Sequence, residues 1–246
     1  MRPKTTTETV HAGPLSDCPI CLSPAGILVR WKVPGDITSG YDLVPCVCAQ
    51  GAQAHVERVA VAARLSGLGG LERHTFTSFN AARQKQGYDA ARHFAVHAEP
   101  PFLYFGGGTG TGKSRLLCAI GNHVLALGVR SVRYTTAPGV VVPGVGNASD
   151  VSRRYDDLLD CGILLLDDLG AERDTPYAQE RVWSLIDYRY ARRMPTAIAS
   201  NVPRKDLGDR LASRLGDVKL VKAINMAGED YRKSEDRRQE DDPWNG

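Results

Sequence analysis

The stretch Phe102–Ser114, FLYFGGGTGTGKS, constrains this chain more than any other. Phe102–Phe105 is an apolar run of strand character, a glycine-rich turn follows it, and an amphipathic helix is expected from Lys113. Gly107, four residues, then Gly112-Lys113-Ser114 satisfies the phosphate-loop pattern in its strand–loop–helix setting. Glycines let successive backbone N–H groups turn toward one anion, and the helix N-terminus adds the positive end of its dipole. Gly107, Gly108, Thr109, Gly110, Thr111 and Gly112 would form the cradle. Lys113 would reach the β- and γ-phosphates of ATP or the β-phosphate of ADP, and the Ser114 hydroxyl would bind Mg²⁺.

A chain of 246 residues has room for one medium domain plus a small module. Hydrophobic residues at 42% and charged residues at 24% are ordinary for a soluble globular protein, which argues against wholesale disorder. No apolar run approaches the ~20 residues that span a bilayer, and MRPKTTTETVHAGP lacks the apolar core of a secretory signal. A cytoplasmic protein with no membrane partner is the expectation. The net charge of +3 does not by itself announce a nucleic-acid binder, although arginines lining one groove could still bind DNA.

Six cysteines in such a chain point to metal or core packing before disulfides. Cys18-Pro-Ile-Cys21 is answered by Cys46-Val-Cys48, and the strand-like runs GILVRWKV and YDLVPCV lie between them. Two thiolates from each turn would close a tetrahedron around one structural Zn²⁺, as in a zinc ribbon or knuckle. The second pair is CxC, so His55 or His11 could replace one thiolate, and unligated thiols are the remaining reading. A module this small would draw most of its folding energy from the metal, and its expected use is docking another macromolecule. The organisation read from the chain is a zinc module over 1–50, a helix and linker over 51–70, an ATPase domain over 71–232, and a charged tail over 233–246 expected to be flexible.

Within the larger domain, strands alternate with helices, which predicts a parallel sheet with helices on both faces. A helical stretch runs to Ala98 and stops at Glu99-Pro100-Pro101. Leu116, Leu117, Ile120, Val124 and Leu127 make a helix stripe ending at Gly128, and Ser131–Thr135 reads as the next strand. Residues 137–146, rich in Gly, Pro and Val, read as a loop. The Asn147-Ala-Ser sequon is a chance match.

Cys161–Gly170, CGILLLDDLG, is the second anchor. Ile163–Leu166 suits a strand buried on both faces, with two carboxylates at its carboxyl end, where open α/β sheets bind ligands. Asp167 is the expected Mg²⁺ partner of Ser114, and Asp168 is placed to orient the attacking water. Ala178–Arg192 reads as a helix with Val182, Leu185 and Ile186 inward and its arginines outward. Thr196–Asn201 reads as a strand ending in Asn201, a candidate sensor of the γ-phosphate. Leu207–Leu215 is a short amphipathic helix on which Arg214 and Arg210 share a face. The order of these segments makes Arg214, or Arg210, a candidate finger reaching a neighbouring copy's ATP. Cys118 and Cys161 read as inert core thiols.

Taken together, FLYFGGGTGTGKS, ILLLDDLG, TAIASN with its following VP, LASRL and GEDYR resemble the AAA+ helicase loaders of the DnaC/DnaI type and the related IstB transposase helpers, over about Leu71–Arg232. The cysteine module followed by RLSGLGGLERHTFTSFN is similar to the front half of zinc-bearing loaders. The resemblance implies an AAA+ P-loop ATPase fold, and a slow ATPase stimulated by DNA or a partner, Asp168 being one methylene shorter than the more usual glutamate. It implies head-to-tail self-association completed by Arg214, single-stranded DNA as ligand, and delivery of a replicative DnaB-type helicase onto it. TFTSFN would lie against the nucleotide base, and Arg232 would touch nucleotide as a second sensor. The alternative it leaves open is an IstB-like helper that acts with a transposase on target DNA.

Overall fold

β1 (Ile27–Trp31) and β2 (Tyr41–Pro45) pair antiparallel, Leu28 opposite Val44 and Arg30 opposite Asp42. These strands fall in the two strand-like runs read between the cysteine pairs. The computed structural model describes residues 27–31, 41–45, 49–128, 130–141, 148–172, 175–228 and 230. Cys18, Cys21, Cys46 and Cys48, with Arg232, Asn147 and the tail 233–246, lie outside the described residues.

α1 (Ala49–Leu65) follows the hairpin, and α2 (Lys85–His97) precedes the sheet. β3 (Phe102–Gly106) leads through the glycine loop into α3 (Lys113–Leu127), which ends at Gly128 in a left-handed cap. β4 (Val132–Thr136), β5 (Ile163–Asp167), β6 (Thr196–Ser200) and β7 (Val221–Asn225) complete one five-stranded sheet in the order β4-β5-β6-β3-β7. All four pairings are parallel. The period of two along each strand builds two cores. Leu103, Phe105, Leu165, Ala197 and Ala199 pack with α2 and α3 on one face, and Phe102, Tyr104, Leu164, Leu166 and Ile198 pack on the other. A layer of helices on each side gives the α/β architecture of AAA+ P-loop ATPases, as the sequence predicts.

Five local features depart from the sequence reading. Residues 137–141 are not loop but a short helix, α4 (Ala137–Val141), and residues 142–147 lie outside the described residues. Pro138 suits a first helical turn, Thr136 Oγ1 accepts the Gly139 N–H, and Ala137 and Val140 are buried. Arg189 on α6 (Pro176–Ala191) points inward and is fully buried, because it lies on the stripe of Val182, Leu185 and Ile186. α5 (Ala148–Asp160) and β7 had no sequence assignment: α5 is strongly polar, and β7 is an edge strand with Lys222, Ala223 and Asn225 exposed. α7 (Asp209–Arg214) starts later than the leucine spacing suggests, after a 3-10 turn at Arg204–Asp206 and Gly208 at φ +82°.

Candidate active site

In the register of the central strands, Gly106 lies beside Ser200 and Leu166 beside Ile198, so β3, β5 and β6 end at one level. Their carboxyl ends carry the phosphate loop, Asp167-Asp168 and Asn201 respectively. The loop needs its glycines. Gly107 (φ +138°) has no room for a Cβ because the Met226 carbonyl oxygen lies against it. Met226 in turn donates its N–H to Gly106 O at 2.7 Å. Gly112 (φ +95°) faces the Phe79 ring, 2.9 Å from where a Cβ would stand, and Gly110 (φ +71°) faces the Asp230 carboxyl. Glycine at these three positions allows the left-handed backbone and the close contacts that a Cβ would block.

Lys113 is buried at the start of α3. Its ammonium donates to Gly107 O at 2.9 Å, Gly108 O at 2.5 Å and Thr111 Oγ1 at 3.3 Å. Thr111 Oγ1 donates to Gly108 O at 3.1 Å, while Thr109 and Ser114 are exposed at the loop mouth. A cation folded back on loop carbonyls can exchange those weak acceptors for phosphate oxygens.

Asp167 is 3% exposed. Its Oδ1 accepts the N–H of Asp168 at 2.9 Å, and its Oδ2 accepts the hydroxyl of Tyr134 at 2.8 Å. Asp168 adopts φ +52°, a left-handed conformation that aspartate tolerates better than most residues. Asn201 Nδ2 donates to Asp168 Oδ1 at 3.1 Å, so these two candidates meet directly. Burial, and then the negative charge of Asp167, push the Tyr134 phenol well above its ordinary range. The same two causes push the Cys118 thiol up to about 12. Sequence reasoning missed Tyr134, since a tyrosine in a strand signals nothing until its neighbours are known.

Arg210 and Arg214 meet on a third element. Both reach Asp187 on α6, Arg210 also lies 3.7 Å from Glu180, and the Arg214 guanidinium is 5.6 Å from the Tyr190 ring centre. Phe76, Phe79 and Tyr88 form an aromatic cluster beside the loop, with Phe79 and Tyr88 stacked at 6.0 Å and Phe76 edge-on to Tyr88 at 5.7 Å.

A glycine cradle and buried lysine after β3, with two carboxylates at the end of β5 and with β6 between those strands, define a P-loop nucleotide-binding protein with the AAA+ fold. The chain belongs to the family of IstB-like ATP binding proteins, matching it over residues 47–235. It is 27% identical over 118 residues, 46% of this chain and 48% of that protein, to the replicative helicase loader DnaC of Buchnera aphidicola subsp. Acyrthosiphon pisum. That match spans about half the length of the relative. Among solved structures, the DnaC helicase loader superposes with a TM-score of 0.53 at 19% identity, covering 63% of this chain and 97% of that one. The crystal structure of DnaI gives 0.52 at 22% identity, over 65% and 92%. At such identities these two likenesses establish the fold. No helix among the described residues is long and apolar enough to cross a membrane.

Proposed function

We propose that this chain is an ATPase that loads a replicative, DnaB-type helicase onto single-stranded DNA, with ATP binding and hydrolysis switching its head-to-tail assembly. The observation that carries the reading is one site: the phosphate loop, the paired carboxylates and Asn201, at one level on three adjacent strands of an ATP-binding family member. Relatives named as replicative helicase loaders support the choice of partner.

In this reading Lys113 neutralises the β- and γ-phosphates, held by the N–H groups of the glycine cradle. Glycine at 107, 110 and 112 keeps side chains off the loop backbone, and Ser114 and Asp167 supply oxygen donors of the kind Mg²⁺ takes. The ion would offset charge between the β- and γ-phosphates. Asp168, steadied by Asn201, orients the attacking water, and Asn201 reports the γ-phosphate to β6. The Phe76, Phe79 and Tyr88 cluster lines the place for the base. Cys18, Cys21, Cys46 and Cys48 hold a structural zinc, and that module docks the helicase; Arg232 is a nucleotide contact.

Lys113→Ala should abolish ATP binding, and unchanged affinity would remove the site assignment. Asp168→Asn keeps a residue that accepts the left-handed backbone, so binding should persist while turnover falls by roughly a hundredfold or more. The full chain should capture a DnaB-type helicase, and Cys18→Ser with Cys21→Ser should lose both zinc and helicase. The family match to IstB-like proteins favours a second reading, a transposition helper. ATP-dependent filaments on duplex DNA without helicase capture would select it.

A further inference from the structure

Tyr134 stands on β4, an edge strand of the sheet, and the phosphate-loop reading assigns it no part. It pairs across from Leu165, while Asp167 pairs across from Thr136. Two residues along a strand restore the same face, so a long side chain leaning along β4 can span from position 134 to the carboxylate. It does so, donating from its hydroxyl to Asp167 Oδ2 at 2.8 Å. With Oδ1 taken by the Asp168 N–H, both oxygens of a buried carboxylate are oriented, each keeping lone-pair capacity for a further partner.

The backbone of Tyr134 is itself anchored. Its N–H donates to Ser66 O at 2.6 Å, and Gly67 (φ +78°) packs against its carbonyl. Ser66 and Leu68, flanking that glycine, are 1% and 2% exposed, so the turn after α1 is sealed onto the edge strand at this residue. A phenol held at its root and bonded at its tip is suited to fixing a rotamer.

We propose that Tyr134 is a positioning residue for nucleotide binding: its hydroxyl holds Asp167 in the orientation that receives the divalent cation accompanying ATP. The inference rests on the reading of the site as a Mg²⁺–ATP site. Partners that orient a metal-binding carboxylate typically contribute 10–100-fold to metal affinity.

The test uses the full chain as wild type, Tyr134→Phe, Asp167→Asn and the double variant, each first checked by thermal melting. Binding of a fluorescent ATP analogue is titrated with Mg²⁺ and repeated in EDTA. Tyr134→Phe should bind the analogue in EDTA within about twofold of wild type, yet need roughly tenfold more Mg²⁺ for the half-maximal effect. In the Asp167→Asn background the same change should add nothing, because the hydroxyl then has no carboxylate to aim. An unchanged Mg²⁺ midpoint overturns the role of Tyr134, as does equal weakening with and without Mg²⁺, the result a merely structural role would give. If wild-type binding ignores Mg²⁺, the site assignment falls and takes this inference with it.

Discussion

The Cys118 thiol lies on α3, 2% exposed, with the Asp167 charge as a secondary neighbour. Burial raises it from 9.0 to about 12, so the folded protein keeps a proton that the unfolded chain releases. Stability is therefore complete below pH 9 and declines as pH rises toward 12. One pH unit into that window costs about 1.4 kcal/mol. Denaturant melts between pH 8 and about pH 10 should fall more steeply for wild type than for Cys118→Ala; equal slopes would refute the assignment. The Cys161 thiol is raised from the same 9.0 and the Tyr134 phenol from 10.0, but both are present in wild type and variant alike, so the difference between the two slopes reports Cys118. For the same reason neither Cys118 nor Cys161, also raised by burial, should react with thiol reagents in the native state near neutral pH.

At the scale of elements, one side chain joins three of them. Arg189 of α6 donates to Leu158 O at 3.0 Å and Leu159 O at 2.8 Å at the end of α5, to Cys161 O at 3.0 Å before β5, and to Pro195 O at 2.8 Å and Thr196 Oγ1 at 2.9 Å at the start of β6. The carbonyls at the end of α5 are the negative pole of that helix, which welcomes a guanidinium although burial lowers its pKa. Arg189→Met fills similar space but strands several carbonyls, each worth about 1–3 kcal/mol unsatisfied. A loss of at least about 3 kcal/mol in urea melts is expected, with Arg189→Lys recovering only part because it lacks the planar fork. A loss under about 1 kcal/mol would show that water replaces the arginine. Periodicity alone places Arg189 among Val182, Leu185 and Ile186; only its charge argues for the surface, and the carbonyls that settle the matter come from distant segments.

At the scale of the molecule, Arg210 and Arg214 share Asp187 on α6. A role in trans requires Arg214 to exchange that partner for a neighbour's phosphate. Arg214→Ala should then leave ATP binding by the single protomer unchanged, and reduce DNA-stimulated turnover by roughly a thousandfold if it acts as a finger. ATP-dependent association followed by sedimentation should weaken in parallel. Full turnover by monomeric Arg214→Ala protein would end the idea.

The phosphate loop, the buried strand Ile163–Asp167 and the alternation that builds a layered α/β fold were all legible in the sequence, because each depends on neighbours in the chain: glycines that must turn, an apolar run, a helix stripe. The short helix at Ala137–Val141, the edge strand β7, the inward turn of Arg189 and the hold of Tyr134 on Asp167 were not. Apart from the Thr136 cap on that short helix, those depend on hydrogen bonds and packing between residues far apart in sequence, which local pattern does not contain. Which residues form the glycine loop and the acidic strand end is written in the chain; what keeps them in place was decided by the sheet that brings their partners alongside.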